Sequence, residues 1–201
     1  MIRKAKLTDF PLVFPILKQI FDEMDMDTIK ALPESQFYDL MKHCFYSPHY
    51  RYSHNRMWVE TDEMDRPIGL LVMYGYDDQG LIDISLKSSY PKVGLPLDAI
   101  IFSDKEALPH EWYLDAIAVS PKHWGEGIGQ RLIKFAPGVA KQKGYKKISL
   151  NVDQDNPRAA RLYDYMGFET TSTMTIGDRL YNHMVKKVNS TKRELIIGEV
   201  D

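Results

Sequence analysis

Residues 111–135, EWYLDAIAVSPKHWGEGIGQRLIKF, constrain this chain of 201 residues more than any other stretch. EWYLDAIAV reads as a strand, Ser120-Pro121 breaks it, and IGQRLIKF begins an amphipathic helix. Between them Gly125, Gly127 and Gly129 alternate with larger residues. A strand that passes through bare backbone into a helix start presents several free N–H groups, and the positive end of the helix dipole adds to them. Such a junction suits phosphate or diphosphate. Glycine keeps side chains from holding the anion off and permits positive φ. The same spacing also fits a tight turn with no ligand.

Around this junction the pattern alternates strands and helices. Residues 2–7 read as a short strand. A helix capped by Thr8 or Asp9 follows, with a stripe at Leu12, Val13, Ile16, Leu17 and Ile20, and Pro15 is expected to mark its first turn. A second helix covers 34–45. RMWVET and RPIGLLVMYGY form an antiparallel hairpin about a turn at Asp62–Arg66. Residues 77–110, rich in Gly and Pro, read as an insertion, a candidate lid, with a short helix near 81–88. Pro137-Gly138 should kink or end the helix after the glycine loop, and Gly144 should stop it. YKKISLNV is a strand. DNPRAARLYDYMGF is a helix capped by Asp155 or Asn156, with Pro157 in its first position. ETTSTMTI and RLYNHMVKKV make a terminal hairpin. The expectation is one α/β domain over 1–188, a mixed sheet with helices on its faces. Residues 189–201 form a tail, in which ELIIGEV has the pattern of an extra strand.

Composition removes several classes. A net charge of −2 gives neither a nucleic-acid footprint nor a polybasic membrane patch. No apolar run approaches the roughly 18 residues that span a bilayer, and MIRKAKLTDF lacks the apolar core of a signal peptide. The single cysteine, Cys44, excludes an internal disulfide and fits a reducing, cytoplasmic setting. The six histidines show no metal-ligand spacing, so no metal is expected.

Known anion loops discriminate further. Gly129 is followed by Gln130 and Arg131, which excludes a Walker A loop. A dinucleotide fingerprint needs Gly or Ala where Gln130 stands, although Asp153 lies at about the expected distance. AVSPKHWGEGIGQRLI resembles the acyl-CoA loop of the GCN5-related N-acetyltransferases (GNAT), Gln/Arg-x-x-Gly-x-Gly/Ala, on Trp124, Gly125, Glu126, Gly127, Ile128 and Gly129. Trp124 departs from Gln/Arg at the first position. Asn156, Ala159, Leu162, Tyr163, Gly167 and Phe168 match that family's Asn-x-x-Ala-x-x-Leu-Tyr-x-x-x-Gly-Phe helix. Together the two blocks cover about residues 111–170.

The resemblance implies a mostly antiparallel twisted sheet splayed between its fourth and fifth strands. It implies acetyl-CoA as co-substrate, without a metal, and transfer of its acetyl group to a primary amine of a small molecule or peptide by direct attack. The pantetheine arm would pair with Ile117, Ala118 and Val119, and the diphosphate would sit on the amides of residues 125–130, with Trp124, Gln130 and Asn156 beside the donor. Lys122, His123 and Arg131 would add charge. Tyr163 would assist the leaving thiolate. A protonated alkylamine of pKa about 10.4 leaves roughly one molecule in a thousand neutral near pH 7.4, about 4 kcal/mol of shortfall. A carboxylate that removes the proton is therefore expected. Glu111, Tyr113 and Asp115 alternate on one strand face, which makes Asp115 the first candidate base and Glu111 the second. Asp22, Glu23, Asp25 and Asp27 would form an acidic acceptor rim, joined by Tyr74, Tyr76 and residues 77–110. A homodimer follows by family analogy. The alternative readings are an acyl-CoA-sensing module of the same fold and a dinucleotide oxidoreductase.

Overall fold

The computed structural model describes residues 1–24, 26–99, 101 and 105–188. In chain order the elements are β1 (Ile2–Lys4), α1 (Phe10–Met24), α2 (Asp27–Lys30), α3 (Glu34–Tyr46), β2 (Met57–Thr61), β3 (Pro67–Gly75), α4 (Ile84–Ser89), β4 (Trp112–Val119), α5 (Ile128–Gln142), β5 (Lys147–Asp153), α6 (Pro157–Tyr165), β6 (Glu169–Ile176) and β7 (Arg179–Lys187). The extra strand expected in ELIIGEV lies outside the described residues.

Seven strands form one sheet in the order β1-β2-β3-β4-β5-β7-β6. All neighbours are antiparallel except β4 and β5. That parallel pair spans only Trp112↔Ile148 and Tyr113↔Ser149. Beyond Tyr113 the two strands diverge, which is the expected splay.

Both faces of the sheet are covered because the central strands are apolar on both sides. Leu70 and Val72 of β3 join α1 and α3 in one core, with Phe10, Val13, Leu17, Phe37 and Phe45. Their alternating neighbours Leu71 and Met73 join α5 in the other, with Leu132, Ile133, Ala136 and Val139.

Two helices differ from the sequence expectation at proline. α1 begins at Phe10, five residues before Pro15. α5 runs through Pro137 without ending, and stops at Gly144, whose φ is +84°. A proline inside a helix costs about 3 kcal/mol. Against that, α5 buries Ile128, Leu132, Ile133, Ala136, Val139 and Ala140, and each fully buried large aliphatic side chain contributes roughly 1.5–3 kcal/mol. Packing therefore outweighs the local penalty. Pro137→Ala should raise the unfolding free energy by about 1–3 kcal/mol, as read by urea denaturation.

Candidate active site

At the end of β4 the backbone has an open edge. Ser120 N donates to Ile68 O at 2.9 Å, so alternate residues of β4 hydrogen-bond to β3. The pairs Ala118↔Leu70 and Ile117↔Leu71 then fall on opposite phases. Ile117 and Val119 turn their N–H and C=O away from β3, into the slot left by β5, and those of Ala118 face β3. Ala118 thus belongs to the cleft wall while its main-chain groups pair inside the sheet.

The slot leads to the glycine loop. Gly125 and Gly127 have φ of +84° and +74°, the left-handed region that glycine adopts without penalty. Gly127 is the N-cap of α5, and no side chain caps that helix. The amides of Ile128, Gly129 and Gln130 therefore form an uncapped first turn. Arg131 holds the loop from below: its Nη1 donates to Glu126 O at 2.8 Å, and its Nε donates to Glu60 Oε1 at 2.7 Å. Trp124, 67% exposed, uses its indole N–H to bond Val119 O at 2.9 Å. The residue that departs from the family pattern thus fastens the loop to the end of β4. His123 pairs with Glu126 at 3.1 Å, and Lys122 does not line the cleft.

A cleft of about 560 Å³ joins these parts. Its walls are Ile117–Val119, the loop, Tyr163 and Leu162 of α6, and Gln19, Ile20 and Glu23 of α1. Since α1 and α5 lie on opposite faces, the cleft passes through the sheet where β4 leaves β5. A neighbouring hollow of about 420 Å³ adds Asn156 and Ala159 and shares Gln130, Arg158 and Leu162. Asn156 caps α6, its Oδ1 accepting from Ala159 N at 3.0 Å. The Tyr163 ring packs on Phe168, 6.0 Å between centroids. Burial pushes its hydroxyl up to about 12, so it remains a donor throughout the neutral range.

Neither expected base lines the cleft. Asp115 is the extra residue of a β-bulge, since Val72 pairs with Ala116 and Met73 with Leu114. Its side chain is 1% exposed. Oδ1 accepts from Tyr74 OH at 2.8 Å and Arg51 Nη1 at 3.2 Å, while Oδ2 is buried with no partner within 3.5 Å. Arg51 also meets Asp83 through two bonds and Glu106 through one. Glu111 is buried against His183, 2.9 Å from Nε2. Burial pushes its carboxyl up, but the His183 bond and charge, with contributions from Ser149 and Lys147, together hold it below its usual range.

The sequence matches the acetyltransferase (GNAT) family over residues 17–168, about three quarters of the chain. A solved acetyltransferase structure is 38% identical, with a TM-score of 0.85, over 94% of this chain and 100% of that one. The chain belongs to the GNAT family. An N-acetyltransferase from Staphylococcus aureus Mu50 shares the fold, with a TM-score of 0.77 at 23% identity over 92% of this chain and 100% of that one. The mouse thialysine N-epsilon-acetyltransferase is 40% identical over 55 residues, 27% of this chain. The chain spans about a third of the length of that curated relative, and likewise of its bovine counterpart.

Within this GNAT-family fold, the residues that the family resemblance assigned to the donor and the leaving group lie together: Ile117, Ala118, Val119, Trp124, Gly125, Gly127, Ile128, Gly129, Gln130 and Tyr163 share one cleft. Asn156 stands in the hollow beside it. Of the described residues of the acidic rim, Glu23 lines the cleft and Asp22 and Asp27 do not; Asp22 pairs with Lys18 at 2.7 Å, and Asp25 lies outside the described residues. Tyr74 is buried on Asp115 rather than on the cleft wall. Sequence reasoning missed Arg158, which lines both hollows and forms no ion pair with a described residue. A cation in the first turn of a helix opposes the dipole, and that misfit was the available signal. Among the described residues no group of His, Cys, Asp and Glu is placed to hold a metal, and none of the helices described is long and apolar enough to cross a membrane.

The buried Asp115 makes a testable statement about stability. Burial pushes its carboxyl up to about 6, opposed by Arg51 and helped by Glu106. Unfolded aspartate titrates near 3.9. The folded state therefore holds this proton more tightly; the advantage is complete below about pH 4 and is lost as pH rises through 6. Asp115→Asn should be more stable than wild type at pH 8 by on the order of 2 kcal/mol, and no more stable at pH 4, in urea unfolding at the two pH values.

Proposed function

We propose that this protein transfers the acetyl group of acetyl-CoA to a primary amine of a small molecule or peptide, by direct attack while both substrates are bound. The observation that carries the reading is the continuous path from the Ile117 and Val119 backbone, turned away from β3, to the uncapped start of α5, with Tyr163 lining the same cleft. That chain of groups fits an extended amide-containing arm ending in a diphosphate, and Arg158 supplies a cation beside it.

Four residue-level roles follow. The Ile117 N–H faces the slot and polarises the thioester carbonyl. Tyr163 donates a hydrogen bond to the departing sulfur. A phenol held near 12 is a much weaker acid than a thiol near 8.5, so it stabilises the thiolate rather than surrendering its proton outright. On the α1 wall, Glu23 is the carboxylate that meets the amine, either to hold an ammonium or to receive its proton. Gln19 lies one turn away, its Nε2 spent on Ile16 O at 3.2 Å, which leaves its carbonyl for the acceptor. Asp115, sealed beneath the cleft, orders Arg51 and Tyr74 instead of touching the amine.

A thiol-release assay over a panel of primary amines, with acetyl-CoA and with acetyl-pantetheine, tests this. CoA release with at least one amine is expected, at much lower kcat/KM for the truncated donor. Equal use of the two donors would contradict the loop's role, and no release with any amine would contradict the reaction.

A further inference from the structure

Two parallel strands with free edges gain hydrogen bonds by pairing further, so something must stop β4 and β5 from zipping past Tyr113↔Ser149. A polar network that includes a residue outside the strands bridges the fork. Glu106 lies at the fork: its Oε2 accepts from Tyr113 OH of β4 at 2.7 Å, and its main-chain O accepts from Asn151 Nδ2 of β5 at 3.1 Å. Asn151 Nδ2 also reaches Tyr113 OH at 3.1 Å. Behind the fork, Glu106 Oε1 accepts from Arg51 Nη1, the nitrogen that also serves Asp115. On the far side, Asn151 Oδ1 meets His183 Nδ1 at 2.7 Å.

Glu106 is itself fixed. Its N–H and that of Ala107 both donate to Gln79 Oε1 at 2.8 Å, and Gln79 Nε2 donates to Ala107 O at 2.8 Å. Tyr113, Arg51 and His183 are at most 2% exposed. In such a network any displacement strands a buried polar group, so the arrangement resists small movements.

We propose that Glu106 is a positioning residue for acyl transfer: wedged between β4 and β5, it sets the width of the slot and hence the place of Ile117 and Val119 relative to Tyr163. The proposal rests on the reading that the donor lies in that slot. It gives residues 105–107, read from sequence as part of an insertion, a fixed place in the machinery.

The test compares wild type with Glu106→Ala, Glu106→Gln, Tyr113→Phe and the Glu106→Ala/Tyr113→Phe double variant, by calorimetric titration with acetyl-CoA. A displaced slot should weaken binding by roughly 10- to 100-fold in Glu106→Ala, and less in Glu106→Gln, which keeps the shape of the wedge. The double variant should lose no more than Glu106→Ala alone, because both changes act on one contact. Wild-type affinity in both Glu106 variants, or losses that add, would overturn the proposal even if melting temperatures fall. If Glu106→Ala does not fold, Glu106→Gln and Tyr113→Phe carry the same comparison. Should wild type bind no acetyl-CoA, the donor assignment fails. The wedge is then judged on the free proteins by amide exchange at Ile117 and Val119: changed rates in the Glu106 variants support it, and rates equal to wild type overturn it.

Discussion

Gly127→Val should abolish tight donor binding while the chain stays folded. Gly127 has φ of +74° and caps α5. A β-branched residue in that region costs on the order of 1–3 kcal/mol, and its Cβ would lie 3.5 Å from Arg131 Nη1, part of the clamp on the loop. The chain relieves the strain by turning the peptide, and that swings the first-turn amides off the anion. Each hydrogen bond to a charged group contributes about 1.5–3 kcal/mol, so losing two weakens binding by roughly 100-fold or more. Calorimetry with acetyl-CoA reads the affinity, and urea unfolding reads the strain. Affinity within a few-fold of wild type would separate the loop from donor binding.

Tyr163→Phe should reduce kcat by about 100-fold and leave the Kd for acetyl-CoA unchanged. The ring contact with Phe168 survives the substitution, so stability should hold. What is lost is a donor aimed into the cleft, needed only as charge develops on sulfur, and an interaction made only then lowers kcat without affecting ground-state binding. The hydroxyl, pushed up to about 12 by burial, stays protonated across the working range. Wild-type rates should therefore show no alkaline limb due to Tyr163 below about pH 11. An unchanged kcat in the phenylalanine variant would remove Tyr163 from the chemistry.

The part of the cleft proposed to hold the donor was legible because it is local. Strand, glycine loop and helix follow one another, and the positive-φ glycines declare the turn directly. The Asn156 cap and Pro157 start of α6 are equally local. The buried polar network beneath the cleft was not legible, because tertiary contacts build it. Arg51, Asp83, Glu106 and Asp115 come from four separate stretches, and no spacing in the sequence announces that one guanidinium will gather three carboxylates. Alternation put Glu111, Tyr113 and Asp115 on one strand face as candidate base and substrate ligands, whereas tertiary contacts tie all three into a buried network. It could not reveal the bulge at Asp115, which shifts the phase so that Ile117 and Val119 pack with the α5 core instead of sharing the face of Asp115. Among the acids in the last turn of α1, the helical turn selects Glu23 for the cleft and sends Asp22 to Lys18. Proline misled in α1 and α5 because local propensity was weighed without the burial that outweighs it.

The account turns on main-chain amides at the start of α5 holding a diphosphate, and a crystal structure of the protein with acetyl-CoA tests that most directly. It should show diphosphate oxygens at hydrogen-bond distance, about 2.7–3.2 Å, from the amide nitrogens of Ile128, Gly129 and Gln130, with the pantetheine arm along Ile117 and Val119. A diphosphate held by side chains alone, with those amides turned to solvent, would contradict it.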